Sequence, residues 1–520
     1  YLSRYFHYQR ALAERLRERV ALRPAAVDLA RLREGVDRLL PTSGSGFVAH
    51  AQQRLAAVVA VLRGLTVISG GPGTGKTTTV LRILALLQEQ ALGAGRAPLR
   101  IRLLAPTGKA AARLVESIES GRAALPCSDA VRDSIPGQAS TIHRALGFRP
   151  GSPTQFRHDA DDPLPADVVL VDEASMVDLA LMAKLFEALP PNARVILLGD
   201  KNQLASVEAG AILGDICNAG RTHGYSQTFA AEIAERLGAQ YAPTATGPDK
   251  TGIWDCIVEL THSFRFEAEG GIGGLARAIG RGDASAVLEA LGEPVSPDIA
   301  YSEENSGVAL LALGDGDDPI RGLRPGVLQG LAAMLRHREP AKRLEAFSDF
   351  RVLAAHRKGR FGIEQLTLGI EATLEEAGLI QRTSPFYDGR PIMVTKNDYQ
   401  LDLFNGDVGI ISRDANGRIR TVFARPDGGQ RIVSPHRLPP HETVFAMTVH
   451  KSQGSEFDRV AVILPPAVSP ILTRELIYTA VTRARSRVVI HGSAAVIAEA
   501  TSRRIDRASG LREALWGSQA

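Results

Sequence analysis

Apolar residues recur at helical spacing from His7 to Leu22 and again from Ala25 to Leu40, with Pro24 between the two runs. This pattern predicts two amphipathic helices, then a linker at Pro41-Thr-Ser-Gly-Ser-Gly46. A third helical pattern from about His50 to Arg63 leads into the continuous apolar run Leu65-Thr-Val-Ile-Ser69, a glycine-rich turn and a helix reaching about Gln90. Further apolar runs of strand length lie at Arg100–Ala105, Asp167–Val171 and Arg194–Leu198, each followed by a polar or helical segment. Strands apolar throughout and alternating with helices predict a parallel α/β sheet. A second such set begins at Phe350–Ala355 and resumes at Asp458–Leu464 and Arg487–Ile490. Between them the turn signals Asn405-Gly406, Asn416-Gly417 and Asp427-Gly428-Gly429 punctuate short β-rich runs, which reads as a small β-barrel inserted in the second α/β domain.

The expected organisation is a helical domain at 1–44, a first α/β lobe at 45–250, and a second lobe at 251–390 and 441–520 interrupted by the barrel at 391–440. The length of 520 residues, with 44% hydrophobic and 23% charged positions, excludes a disordered or coiled-coil chain. The most apolar stretch, Val460 to Leu472, carries three prolines, so no membrane span is expected and the chain should be soluble. The three cysteines, Cys127, Cys217 and Cys256, form no CxxC pair, which removes a disulfide framework or zinc cluster and favours a reducing, cytoplasmic setting. The chain begins at Tyr1, not Met, which leaves its true N-terminus open. A net charge of +4 permits a polyanionic partner without demonstrating one.

Composition says nothing about chemistry; the first glycine-rich turn does. Gly70-Gly71-Pro72-Gly73-Thr74-Gly75-Lys76-Thr77, followed by Thr78, satisfies G-x-x-x-x-G-K-[ST] between a predicted strand and a predicted helix. In that setting glycines let backbone N–H groups face a phosphate, Lys76 adds a point charge, and Thr77 supplies a hydroxyl for Mg²⁺. The strand Val168-Val-Leu-Val171 ends in Asp172 and Glu173, where a P-loop protein holds Mg²⁺ and polarises the attacking water. A third strand ends in Gly199-Asp-Lys-Asn-Gln203, placing an amide where it can sense a γ-phosphate. Together these predict an ATP hydrolase using ATP and Mg²⁺. Arg265, in Ser263-Phe-Arg265, and Arg483, in Thr479-Ala-Val-Thr-Arg483, are candidates to meet γ-phosphate charge when two lobes close.

The chain resembles the superfamily 1 DNA helicases and, within them, the RecD family. The resemblance rests on strings in order from about residue 50 to 490: Val67 to Thr79, Ala105 to Arg113, Val171 to Met176, Leu204 to Gly210, Leu403 to Asp407, Ala446 to Phe457 and Glu475 to Arg485. It implies two RecA-like motor lobes with parallel sheets, ATP in the cleft between them and single-stranded DNA across their top. It also implies that Gln53 reads adenine, that Lys76, Thr77, Asp172 and Glu173 hold phosphate, metal and water, and that Gln203, Arg265 and Arg483 sense the γ-phosphate. Phe264 stands where relatives often carry an adenine-stacking tyrosine.

For DNA, the resemblance implies contacts from Pro106, Thr107, Lys109, Thr141, His143, Thr448, His450, Lys451, Ser452 and Gln453. Hydroxyls, amides and a few cations on phosphates suit a motor that grips any sequence and releases it. The string at Gln203 lacks the aromatic of the 3′-to-5′ branch, which favours 5′-to-3′ movement. No separate nuclease cluster is visible. The family further implies duplex ends as substrate, RecB-like and RecC-like partners in a heterotrimer, and docking through residues 1–44, which could instead be simply a solvated helical face. A free-standing RecD-like helicase, or an ATP-binding subunit that only sets the conformation of a repair complex, remain the alternatives.

Overall fold

The computed structural model describes residues 3–24, 27–41, 47–149, 152–206, 210–218, 224–266, 270–303, 307–398, 400–414, 416–425, 429–505 and 510–517. Most of the linker expected at 41–46, the Val207–Ala209 part of one family string, and Asp427-Gly428 lie outside the described residues. The chain forms two compact units, residues 1–265 with 507–520, and residues 266–506. No described helix is long and apolar enough to cross a membrane.

The first unit is organised by strands β1 (Leu65–Gly70), β2 (Ile101–Ala105), β3 (Ala139–Thr141), β6 (Val168–Val171), β7 (Arg194–Gly199) and β8 (Ile257–Leu260), with a two-stranded antiparallel ribbon, β4 (Phe148–Arg149) and β5 (Ser152–Phe156), between β3 and β6. The sheet order is β3-β2-β6-β7-β1-β8 and every pairing is parallel. Because alternate side chains point to opposite faces, each apolar strand feeds two cores. Ile68, Leu103, Val168, Leu170, Ile196 and Leu198 belong to one. Val67, Leu104, Val169, Val171, Val195 and Leu197 belong to the other.

The two N-terminal helices correct the expectation of a separate domain at 1–44. Leu12 and Leu16 of the helix Ser3–Ala21 are fully buried in the second of these cores, with Leu511 of the helix Leu511–Trp516. Leu32, Val36 and Leu39 of the helix Leu29–Leu39 are buried in the first. Two short amphipathic helices have too little apolar surface to build a core of their own, so each covers an open face of the nearest sheet. Polar anchors fix them there. Arg19 is buried and donates to Ala193 O at 3.0 Å and Pro190 O at 2.7 Å. Asp28 and Gln90 exchange two hydrogen bonds, of 2.8 and 2.9 Å. The expected boundary at 250 also moves, to 265, because β8 completes the first sheet.

The second unit holds β9 (Gly307–Leu311), β10 (Phe350–Ala354), β11 (Pro391–Val394), β12 (Val408–Arg413), β13 (Ile419–Ala424), β14 (Gln430–Val433), β15 (His441–Thr443), β16 (Ala446–Thr448), β17 (Phe457–Ile463) and β18 (Ala484–His491). Five of them form a parallel sheet in the order β16-β10-β17-β18-β9. The expected insertion is an antiparallel sheet in the linear order β14-β13-β12-β11-β15, over a core of Ile392, Val394, Leu403, Ile411, Phe423 and Val433. Two buried arginines key it to the parallel sheet. Arg343 makes a bidentate pair with Asp388, at 2.8 and 3.0 Å, and Arg351 donates to Val444 O at 3.0 Å while lying 3.5 Å over the Phe347 ring.

Candidate active site

In a parallel sheet all strand-to-helix turns emerge at one edge, and the order β6-β7-β1-β8 brings four of them side by side. The turn after β1 wraps into the helix Lys76–Gly93. Gly73 and Gly75 have φ of 75° and 79°, in the left-handed region where glycine carries no steric cost. A Cβ on Gly73 would also lie 2.3 Å from that of Arg265. Lys76 Nζ donates to Gly70 O at 2.5 Å and Gly71 O at 3.1 Å, so its ammonium folds back over the turn. Thr74 Oγ1 closes the loop on Gly71 O at 2.9 Å. Thr77 is half-buried in the first turn of the helix, and Thr78 is exposed.

The segment after β8 is fastened onto this turn. Phe264 N donates to Gly73 O at 2.8 Å and Ser263 Oγ to Pro72 O at 3.1 Å. Phe264 itself is 54% exposed, with the His262 ring edge-on at 4.9 Å and His50 tilted at 6.4 Å. A flat apolar face left open beside a buried amide is suited to stacking a planar base. The amide is Gln53, buried, with Nε2 3.5 Å from Thr74 O. Arg265 is exposed at the end of the segment.

Asp172 follows β6 and accepts from Glu173 N at 2.8 Å. Burial pushes its carboxyl well above the usual carboxylate range, and the Glu173 charge adds to the shift against the opposing hydrogen bond from Glu173 N and the charges of Lys76 and Arg113. Glu173 sits at φ 50°, a left-handed conformation uncommon for a residue with a side chain. After β7, Asp200 is buried and accepts from Gln203 Nε2 at 3.3 Å and from Asn202 N at 2.9 Å. Gln203 is 7% exposed and its Oε1 is buried without a hydrogen-bond partner among the described residues. An orphaned carbonyl oxygen in a folded interior is costly, so a donor is expected to meet it when the site is filled.

Sequence reasoning missed Ser263 and Asp200 as organisers of this edge. Asp200 had a readable signal, three residues before Gln203 on a strand end; Ser263 had none, because its partner Pro72 is remote in sequence. The donor set fits a magnesium nucleotide: a glycine cradle with one ammonium, a hydroxyl at the helix start, and two adjacent carboxylates that a cation would relieve.

Of the expected DNA contacts, Pro106, Thr107 and Lys109 follow β2, and on the same edge Thr141 ends β3 and His143 follows it. Thr107 and Thr141 also cap helices, each accepting at 3.2 Å, from Ala110 N and Arg144 N, which leaves their hydroxyl protons available. Thr448, His450, Lys451, Ser452 and Gln453 lie in the second unit at the end of β16. Ser452 departs from expectation, being fully buried with its hydroxyl on Val449 O at 2.7 Å, so it holds the turn in place. Lys451 is ion-paired to Glu442. Arg483 also belongs to the second unit, where it is 3% exposed and donates to Thr479 O at 3.2 Å and Ser455 O at 3.1 Å.

Comparison with known proteins shows the family. An AAA domain family matches residues 53–209, and a UvrD-like helicase C-terminal domain family matches residues 443–491. The RecBCD enzyme subunit RecD of Mycolicibacterium smegmatis is 40% identical over 99% of this chain and 82% of its own length. The subunit of the same name from Mycobacterium tuberculosis is 42% identical over 98% of this chain and 79% of its own. The ATP-dependent RecD2 DNA helicase of Deinococcus radiodurans is 32% identical over 85% of this chain but 48% of its own length. With 40–42% identity sustained over 98–99% of this chain and 79–82% of the two RecD subunits, the chain belongs to the RecD family of ATP-dependent DNA helicases.

Proposed function

We propose that this chain is an ATP-driven 5′-to-3′ translocase on single-stranded DNA, the motor subunit of a RecBCD-type helicase-nuclease that processes duplex ends in the cytoplasm for recombinational repair of double-strand breaks. The observation that carries the reading is the single sheet edge bearing Lys76, Asp172, Glu173 and Gln203. Lys76 leaves its own carbonyls for the β- and γ-phosphates of ATP, and the turn's N–H groups take the remaining charge. Thr77 and Asp172 would hold Mg²⁺, which supplies charge neutralisation of the transferring phosphoryl group. Glu173 orients and deprotonates the attacking water, and Gln203 uses its amide to register the γ-phosphate. Gln53 and Phe264 take the adenine by hydrogen bond and stacking. Arg265 and Arg483 stabilise the charge that develops on the γ-phosphate, so that hydrolysis is tied to movement of the second unit. Pro106, Thr107, Lys109, Thr141, His143, Thr448, His450, Lys451 and Gln453 hold the DNA backbone, and a grip made of phosphate contacts is indifferent to sequence. RecB-like and RecC-like subunits are the expected partners, since two of the relatives reported above carry the name of a RecBCD enzyme subunit.

The decisive experiment uses partial duplexes with one single-stranded tail, offered to the chain alone and with its partners. Unwinding that needs a 5′ tail and ATP is the expected outcome. A requirement for a 3′ tail would refute the polarity, and ATP turnover unresponsive to single-stranded DNA would refute the motor.

A further inference from the structure

The turn after β10, in the second unit, is built to push charge outward. His356 O and Arg357 O accept from Ile363 N at 3.1 Å and Glu364 N at 3.2 Å, and Gly359 O accepts from Gly362 N at 2.9 Å, which closes a tight loop. Gly359 has φ 89°, and a Cβ on Gly362 would fall 2.5 Å from Lys358 O, so both glycines are required by the shape. Phe361 plugs the loop into the core at 8% exposure, while Arg357, Lys358 and Arg360 stay exposed. Arg360 is steadied by Asp315 O at 3.0 Å and Gly316 O at 3.2 Å. The Lys358 ammonium has no partner among the described residues.

This loop shares a sheet edge with the segment that carries Thr448, because Ala354 of β10 pairs in register with Thr448 of β16. One carboxylate ties the two together. Glu442 pairs through Oε2 with Arg357 Nη2 at 3.3 Å and through Oε1 with Lys451 Nζ. Its side chain is 20% exposed, so the pairing is partly sheltered from solvent. Of the four cations here, Arg357 and Lys451 meet the two carboxylates Glu364 and Glu442, and both converge on Glu442, while Arg360 is held by backbone carbonyls and Lys358 is left over. A carboxylate held by an arginine and a lysine from different loops has the charge and oxygen geometry of a phosphodiester contact.

We propose that the turn at 356–360 and Lys451 form one phosphate-binding surface for a single nucleic-acid strand, which Glu442 occupies as an internal stand-in for phosphate until a strand displaces it. The proposal rests on the reading of the chain as a DNA motor and extends it from Lys451, an expected contact, to the turn at 356–360 and to Glu442, which are not among the expected contacts. A stand-in of this kind keeps the cations in place and weakens the grip, as suits a motor that must release at every step. It predicts a sign that a merely structural carboxylate would not give: removing the acid should tighten binding.

The test is fluorescence anisotropy of the full chain with labelled oligothymidine from about 50 to about 200 mM salt, with melting temperatures as the fold control. Each single-strand phosphate contact contributes roughly 0.7 to the slope of log affinity against log salt. Lys358→Ala should weaken binding at low salt and flatten that slope by about one such contact, a deficit that shrinks about two- to three-fold over the range. Glu442→Gln should tighten binding several-fold and steepen the slope. Weaker binding by Glu442→Gln at unchanged melting temperature, or a Lys358→Ala slope identical to wild type, would overturn the proposal. Lys358 is exposed, so its variant reports even where Glu442→Gln disturbs folding. Failure of the unmodified chain to bind oligothymidine would instead bring down the motor reading, whereas binding that is lost in Thr448→Ala but indifferent to both other variants would bring down this surface alone.

Discussion

Two strand-to-helix turns on two parallel sheets handle charge in opposite ways. The turn after β1 is almost neutral, its glycines expose backbone N–H groups, and its one cation folds inward onto Gly70 O and Gly71 O. The turn after β10 hides its backbone in hydrogen bonds of its own and sends arginine and lysine outward. Backbone donors at a helix start are fixed in direction and select one phosphate group of the right shape. Side-chain cations on a rigid loop are long-reaching and tolerant, which suits a chain of identical phosphates passing by. On the proposed reading, the same fold element serves recognition in one unit and grip in the other, with loop composition making the difference.

The sharpest way to break this contrast is Lys76→Gln. If the first turn works by a few directed donors, losing one should cost at least about a hundredfold in ATP turnover at unchanged melting temperature. Near-normal DNA-stimulated turnover would remove the nucleotide site from this edge.

Arg483→Ala probes whether the second unit contributes chemistry as well as grip. A group that acts on the transition state should lower kcat by at least about tenfold while nucleotide affinity changes little. Because Arg483 also ties Thr479 O to Ser455 O, the melting temperature must be read beside it. A change confined to nucleotide affinity would reassign Arg483 to a structural role.

The N-terminal helices offer a comparison within the first unit. Were they a detachable module, Leu16→Ala and Leu32→Ala would leave the ATPase untouched. Both side chains are fully buried against the sheet, so each variant should cost about 2–5 kcal/mol and lower the melting temperature of the nucleotide-binding unit. Removing residues 1–44 should then weaken the ATPase together with any assembly, and an unaltered melting temperature of the truncated chain would contradict this.

The smallest effect separates the two units by pH. His491, fully buried in the second unit with Tyr301 Oη 2.8 Å from Nε2, is pushed down by burial to about 3. A histidine depressed on folding contributes stability that is present above its ordinary value of 6.5 and lost as pH falls toward 3. The second unit should therefore lose about 1.4 kcal/mol per pH unit below that value, seen as a falling melting transition, and His491→Gln should flatten the dependence. An identical slope in the variant would assign the acid sensitivity elsewhere.

Fold class, the order of the long strands and the residues of the first turn were legible because each is a local signal: an apolar run of strand length, or a glycine string between a strand and a helix. Short strands such as β3, β8 and β16 were not, since three or four residues carry no period and are strands only because a long neighbour offers them hydrogen bonds. The amphipathic stripes of the first two helices announced a buried face without saying against what, and the two faces of the first sheet supplied the answer. Equally, no spacing announced that Glu442 would hold Arg357 and Lys451 together, or that Ser452 would turn inward. Sequence by itself determines what is written within a turn or two of the chain: periodicity, caps and the chemistry of a contiguous loop. Which remote side chains meet is decided only when the sheets assemble, because burial and charge pairing depend on distances through space that no one segment contains.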